Sequence, residues 1–333
     1  MSTTTSIEWT DASWNPVTGC SEVSEGCEHC YAKTFAERWR DTSGHYFASG
    51  FDVRLRRDKL AAPLRWRTPR RVFVNSMSDL FHTDVPDEYI AEVFAVMAAC
   101  PQHTFQLLTK RPGRMRSLLL NDAFADRAMD RSLVITPVAA GERPHGDTWP
   151  LPNLWVGVSV ENQRWADVRL PVLAGTPAAI RWVSAEPLLG PVNLSPWLGD
   201  GFDADGTPAG WRSTLDWVVA GGESGYGARP MHPGWARSLR DQCAASRVPF
   251  LFKQRGAWTW DARYGNPDGT GSDPWADRDP DAYVTRLDGR TADVRTAMAE
   301  GGDWHGVYRV GKGRAGRDLD GTIHDDFPAP DPR

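Results

Sequence analysis

The chain has 333 residues, 41% of them apolar, enough for a substantial buried core in one decorated (β/α) barrel or in two domains. Its 43 acidic against 38 basic residues leave a formal charge of −5, which excludes a global attraction to nucleic acid and leaves room for a local basic patch. Met1 to Asp11 is polar and no run of about eighteen apolar residues occurs, so neither a secretory leader nor a membrane span is expected; the reducing cytoplasm is the expected compartment.

Ala12 to Thr18 is short, yet a strand there would feed the most unusual stretch of the chain: Cys20, Cys27 and Cys30, three thiols within eleven residues. The Ser, Glu, Gly and His between them cannot build a core, so the thiols point to chemistry. Five cysteines in all, without a leader, argue against a disulfide framework. Three readings stay open. A structural zinc wants four ligands and finds in His29 a poor fourth; an iron-sulfur cluster on three thiolates keeps one iron open; and Cys27-x-x-Cys30 is also the spacing of a redox pair. Tyr31, Phe35, Ala36 and Trp39 then recur at helical spacing, predicting one apolar face opposite Lys33, Glu37, Arg38 and Arg40. Cys30 thus opens a helix, where backbone amides and the dipole favour a thiolate.

Arg54 to Arg71 carries eight basic residues, one acid and Trp66, making it the candidate nucleic-acid segment; a solvated surface stretch is the plain alternative. Arg71 to Asn75 reads as a strand ending in polar Asn75, Ser76, Ser78 and Asp79. Pro86 opens a helix whose stripe is Ile90, Val93, Phe94 and Met97, and Pro101 stops it; Cys100 reads as a packed thiol. Thr104 to Thr109 is the next strand, delivering Lys110 and Arg111 to its carboxyl end, where a carboxylate or phosphate is the natural guest.

Residues 121 to 153, with Pro137, Pro144, Pro150 and Pro152, read as an insertion or lid. Strands at Leu154 to Val160 and Ile180 to Ser184 lead into Glu161-Asn162 and Glu186, with a helix from Gln163 to Leu173 between them. A carboxylate at such a strand end can hold ribose hydroxyls. After the Pro/Gly-rich loop of Pro191 to Gly210, Leu215 to Ala220 leads into Gly221-Gly222-Glu223-Ser224-Gly225, where glycines allow close backbone approach or simply a tight turn. The helix from Pro233 to Ser246 buries Trp235, Leu239 and Cys243, and Val248 to Gln254 is the last strand of the series. Beyond it Asp273, Asp277, Asp279 and Asp281 lack the spacing of a calcium loop, and Gly306 to Pro328 resembles a hairpin that caps the barrel. The sixteen tryptophans, among them Trp155, Trp182, Trp217 and Trp235, serve core packing or base stacking.

About seven strands at roughly thirty-residue intervals predict parallel pairing: an α/β fold, a partial or open (β/α) TIM-like barrel of six or seven parallel strands with a hairpin-rich carboxyl-terminal extension. The expected division is residues 1–258 for the barrel, with the insertion at 121–153, and 259–333 for the extension. Polar residues gather after the strands, where the loops of such folds converge.

The run from Trp14 to Tyr31, with Asn75-Ser-Met-Ser-Asp79, Leu107-Leu-Thr-Lys110-Arg-Pro, Trp155-Val-Gly-Val-Ser-Val-Glu161-Asn and Ser184-Ala-Glu186-Pro, resembles the phage-type three-Cys-motif family. That family is itself similar to radical S-adenosylmethionine (radical SAM) enzymes. The six residues between Cys20 and Cys27 depart from the common radical SAM pattern, which has three. The resemblance implies a [4Fe-4S] cluster on Cys20, Cys27 and Cys30, with S-adenosylmethionine on the fourth iron and cleaved to a 5′-deoxyadenosyl radical that modifies or repairs a nucleic-acid base or nucleotide. It also implies that Asn75, Ser76 and Asp79 meet the methionine amine, Lys110 its carboxylate, and Ser159, Glu161 and Glu186 the ribose, with Asn162, Ser184 and Gly222 in the same cofactor site. Lys253, Gln254 and Glu223 are the catalytic candidates. An external electron donor and a dedicated partner protein are implied, and phage or mobile-element association is the expected context. The rival is a non-enzymatic zinc or iron-sulfur module that binds nucleic acid or protein.

Overall fold

The computed structural model describes residues 5, 7–135, 148–199, 214–260 and 282–329. Pro137, Pro144, Asp273, Asp277, Asp279 and Asp281 lie outside the described residues, as does much of the loop from Pro191 to Gly210.

Seven strands form the main sheet: β1 (Ala12–Trp14), β2 (Arg71–Val74), β3 (Thr104–Thr109), β4 (Leu154–Ser159), β5 (Ile180–Ala185), β6 (Trp217–Gly221) and β7 (Phe250–Gln254). Their order in the sheet is their order in the chain, and β1 and β7 are its two edges. The ladders β1–β2, β2–β3, β3–β4 and β6–β7 are parallel, with Ala12 opposite Val72, Val72 opposite Phe105 and Phe105 opposite Leu154. A sheet wound in one direction without reversal is of the (β/α)-barrel kind, and because β1 and β7 do not pair with each other it is an open one, as expected from the strand count.

The sequence of each strand explains its place. All five residues of β6 are buried, as are Val72 to Val74 and Val156 to Ser159, the near-continuous burial of a parallel sheet covered on both faces. The longer helices between them are α1 (Tyr31–Glu37), α2 (Asp87–Ala98), α3 (Pro112–Leu119), α4 (Asp122–Ile135), α5 (Gln163–Ala174) and α6 (Pro233–Ala245). In α2 every residue from Tyr89 to Ala98 except Glu92 is buried, so the stripe read from spacing widens to nearly the whole circumference. Part of that cover is α4, inside the expected insertion: Phe124 meets Phe94 edge-on at 5.3 Å, and Arg127 and Arg131 reach Glu88.

The chain divides into two compact units, residues 1–159 with 168–182, and residues 160–167 with 183–333. The second unit contains a small antiparallel sheet of β8 (Trp258–Thr259), β9 (Ala282–Thr285), β10 (Thr291–Ala292) and β11 (His305–Arg309), in the order β8-β11-β9-β10. Its last segment runs along the edge strand β7: Phe252 N–H donates to the His324 carbonyl at 3.0 Å, Asp326 N–H to that of Phe250 at 3.3 Å, and the Trp217 indole to that of Asp326 at 2.9 Å. An open barrel edge is thereby covered from within the chain.

One expectation is corrected. The aromatic stripe of α1 is not its buried face: Tyr31, Phe35 and Trp39 are 55%, 45% and 37% exposed, while Ala32 and Ala36 are buried. The physical reason is close packing. The small alanines let the helix backbone approach the rest of the first unit, and the rings turn outward, Phe35 meeting Phe47 and Trp39 stacking on His45 at 4.1 Å.

Candidate functional site

In the first unit the cysteine loop starts from a fixed point. Gly19 donates its amide to the Met77 carbonyl at 2.9 Å and Cys20 to that of Phe51 at 3.2 Å, so the loop leaves β1 beside the segment that follows β2. Gly19 has φ +86°, and a Cβ there would lie 2.1 Å from the Asp52 carbonyl oxygen; only glycine fits. Cys30 is the N-cap residue of α1 as expected; its thiol makes no capping hydrogen bond, though the Ala32 and Lys33 amides favour its thiolate.

The electrostatics oppose the expected thiolates. Burial, then the Asp79 carboxylate, push the Cys20 thiol up to about 12, against the Arg111 guanidinium beside it. Burial also raises Cys30, against the two helix amides and the charge of Lys110. The two cations after β3 therefore act on the cysteines, each on a different one. Cys20 Sγ lies 3.3 Å from the Ser21 carbonyl oxygen, and all three thiols are half-buried.

Behind the loop stands a polar network. The Asp79 carboxylate, 6% exposed, accepts from the Thr109 hydroxyl at 2.8 and 2.9 Å, from the Lys110 amide at 3.1 Å and from the Phe81 amide at 3.0 Å. Arg111 Nη2 donates to Ser21 Oγ at 2.8 Å, and His82 Nε2 lies 2.8 Å from the same hydroxyl. Since His82 Nδ1 accepts from the Asp84 amide at 3.1 Å, the ring proton is on Nε2 and is given to Ser21. Burial and Arg111 lower the His82 pKa, keeping this tautomer neutral. Arg111 was read from the sequence as an anion-binding cation beside Lys110, whereas Ser21, His82 and Thr109 are absent from the residues read as a site there. The signal was adjacency: each lies within three residues of one that was read.

Asn75 differs from its neighbours. It ends β2 at φ +64°, is 3% exposed, and neither Nδ2 nor Oδ1 has a hydrogen-bond partner among the described residues. Ser76 is engaged instead: its hydroxyl pairs with the Asn15 amide at 3.1 Å and its carbonyl accepts from the Tyr31 hydroxyl at 2.6 Å. Ser159 also lies in this unit, 5% exposed, its carbonyl taken by the buried Arg169 guanidinium at 2.8 Å.

In the second unit Glu186 is paired with Lys253 at 2.7 and 2.9 Å, and Gln254 Nε2 donates to it at 3.0 Å. Two of the three catalytic candidates thus neutralise and orient an expected ribose ligand. The third, Glu223, is 5% exposed and clamped by Arg229, whose amide and Nε reach Oε2 at 2.8 and 2.9 Å and whose Nη2 reaches Oε1 at 2.7 Å. Asn162 Oδ1 accepts the Trp165 amide at 3.3 Å, the bond of a helix N-cap to α5. Glu161 is fully buried and its carbonyl accepts from Leu189; the Ser184 carbonyl accepts from Val160. At Gly222 a Cβ would stand 2.1 Å from the Arg255 carbonyl oxygen, so glycine there answers to backbone packing.

The basic segment is largely engaged within the fold. Arg56 lies 4.0 Å over the Tyr46 ring, Arg57 pairs with Glu92, Lys59 with Asp58 and Arg71 with Asp11, and Arg70 lies over Trp66.

Among the described residues no three Cys, His, Asp or Glu side chains are gathered closely enough to hold a metal ion. The donor set suits a soft metal group in chemistry: three thiols on one loop, helix amides that favour the thiolate of one of them, and two cations to offset thiolate charge. Bringing the sulfurs onto one group requires residues 20–30 to close up.

A family model described as protein of unknown function (DUF5131) matches residues 4–328. The chain belongs to that family. No curated protein matches it. Among solved structures it is similar to spore photoproduct lyase complexed with dinucleoside spore photoproduct, at 13% identity and TM-score 0.36 over 77% of this chain and 67% of that one. A tyrosine-to-phenylalanine mutant of that lyase gives 13%, 0.37, 72% and 62%, and a mutant with bound AdoMet and the dinucleoside gives 13%, 0.34, 77% and 67%. The chain spans about two thirds of the length of these proteins, and a likeness at this level assigns no activity. Among the described residues no helix is long and apolar enough to cross a membrane.

Proposed function

We propose that this member of the family is an iron-sulfur protein of the radical SAM type, related to the three-Cys-motif group, whose substrate is a nucleic-acid base or nucleotide. The observation that carries the reading is the juxtaposition at the carboxyl ends of β1 and β2: three thiols on one pinned loop, and beside its anchor Asn75, whose buried side-chain amide has no partner among the described residues. A buried amide left unsatisfied costs roughly 1–3 kcal/mol, which a ligand's donor and acceptor would recover.

Cys20, Cys27 and Cys30 would hold the cluster, and Asn75 with Lys110 the methionine end of S-adenosylmethionine. The bound pair would supply one-electron reductive cleavage of the sulfonium, releasing methionine and, once a hydrogen atom is taken from the substrate, 5′-deoxyadenosine. Asp79, filled by Thr109, Lys110 and Phe81, positions the loop that presents Lys110 and Arg111. Ser159, Glu161, Asn162, Ser184, Glu186 and Gly222 belong to the cofactor part of the proposal. An external electron donor, a dedicated partner protein, a phage-related context and a reducing cytoplasm go with it.

Anaerobic purification with iron and sulfide is expected to give a brown protein that yields 5′-deoxyadenosine from S-adenosylmethionine under reduction. Cys20→Ala, Cys27→Ala and Cys30→Ala should each be colourless. The second reading, a non-enzymatic metal clasp, is favoured by the full internal occupancy of Asp79 and Glu223. A colourless zinc protein would establish it, and a brown protein that never cleaves S-adenosylmethionine would leave a structural or electron-transfer cluster.

A further inference from the structure

Beyond β6 the chain makes a short loop whose base is fixed on all sides. Arg229 clamps the Glu223 carboxylate, the Ala257 amide donates to the Glu223 carbonyl at 2.8 Å, and the Trp258 indole donates to the Ala228 carbonyl at 2.7 Å. Ala228, Ala257, Trp258 and Val307 pack together beneath it. The tip of this anchored loop is Tyr226, 92% exposed, between Gly225 at φ +102° and Gly227 at φ +74°. A ring displayed in water on a rigid support gains nothing from packing; its flat face is offered outward.

Next to the tip lies a cationic segment. From Arg309 to Arg317 the chain reads Arg-Val-Gly-Lys-Gly-Arg-Ala-Gly-Arg, four cations and no acid. Arg309 Nη2 donates to the Gly225 carbonyl at 3.2 Å, one residue from Tyr226. Lys312 and Arg314 are exposed on the following turn, which the Gly311 amide ties to the Ala257 carbonyl at 2.9 Å and the buried Ala315 seats. Three of the acids that follow are paired with cations: Asp318 with Arg255, Asp320 with Arg237 and Arg240, and Asp325 with Arg317.

We propose that Tyr226, Arg309, Lys312 and Arg314 form a surface for single-stranded nucleic acid, the ring stacking on an unpaired base and the cations holding the flanking phosphates. Stacking plus a basic track is how proteins bind single strands, whereas in a duplex the base faces are already covered by their neighbours. An anionic membrane or an acidic peptide would use the cations and leave the ring without a planar partner. The inference deepens the nucleic-acid part of the proposed function. It also supplies the local basic patch that a chain of net charge −5 needs.

The test is fluorescence anisotropy of a short labelled oligothymidine with the full chain, across a salt series. Tyr226→Ala should weaken binding on the order of tenfold without changing the salt slope, and Tyr226→Phe should bind like the parent. The double variant Lys312→Ala/Arg314→Ala should lower the slope of log K against log salt by about 1.4, at about 0.7 per phosphate contact. Unfolding midpoints of all variants should match the parent, since the substituted side chains are exposed. No binding, binding indifferent to Tyr226→Ala, binding lost instead on neutralising Arg65 and Arg67, or equal capture by anionic phospholipid vesicles would each overturn the inference. A chain that binds through Tyr226 yet cleaves no S-adenosylmethionine would retain this surface and lose the proposed activity; cleavage without binding would do the reverse.

Discussion

Asn75 combines two costs at one position, a left-handed backbone at φ +64° and a buried side-chain amide without a partner among the described residues. Asn75→Gly removes both, so the variant should be more stable by about 1 kcal/mol in urea unfolding while losing affinity for S-adenosylmethionine in equilibrium dialysis. A gain in stability with a loss of binding separates a ligand-facing residue from a structural one. The buried thiols Cys100 and Cys243 make a second prediction. Burial raises both from an ordinary 9.0 to about 12, so each binds its proton more tightly folded than unfolded. Their contribution to stability is complete below pH 9 and is lost as pH rises toward 12, at up to about 1.4 kcal/mol per pH unit for each thiol. Urea midpoints measured from pH 8 to 10.5 should fall, and fall less steeply in Cys243→Ala.

At the scale of elements, the ends of β5 and β7 are joined by Glu186 and Lys253, whose side chains are 18% and 12% exposed. Lys253→Met leaves the carboxylate with Gln254 alone and should cost about 3 kcal/mol of unfolding free energy; adding Glu186→Gln should restore most of it. A catalytic lysine without a structural role would change turnover and leave the urea midpoint unmoved. The strands themselves were legible because four to six β-branched and aromatic residues followed by polar ones have few other uses in a chain of this length. The face of α1 was not. Helical spacing groups Tyr31, Phe35 and Trp39 on one side, but which side is covered depends on what the rest of the first unit brings to it, and alanines allowed the closer approach.

For the whole molecule, sequential strand order leaves two sheet edges, and residues 324–326 cover the one at β7. Truncation after Gly316 would bare that edge and Trp217, which is fully buried; lower recovery of unaggregated protein and a red-shifted tryptophan emission are expected, read by size-exclusion chromatography and fluorescence. If a cluster binds the folded chain, reconstitution should raise the unfolding midpoint and chelation lower it. The size is set by mass action, about 2.7 kcal/mol at a hundredfold excess over Kd.

The strand-helix rhythm, the open parallel sheet and the gathering of polar residues after its strands could be read from local spacing, because hydrophobic period and chain direction together determine where such residues emerge. So could the three thiols as a group. What each polar side chain touches was decided only in three dimensions: Asp79 closes on Thr109, Glu223 on Arg229 and Lys253 on Glu186, while the Asn75 side chain finds no hydrogen-bond partner among the described residues. Partners from six to sixty-seven residues away leave no period in a sequence, since a charge finds its counter-charge through packing rather than through the spacing of its own segment.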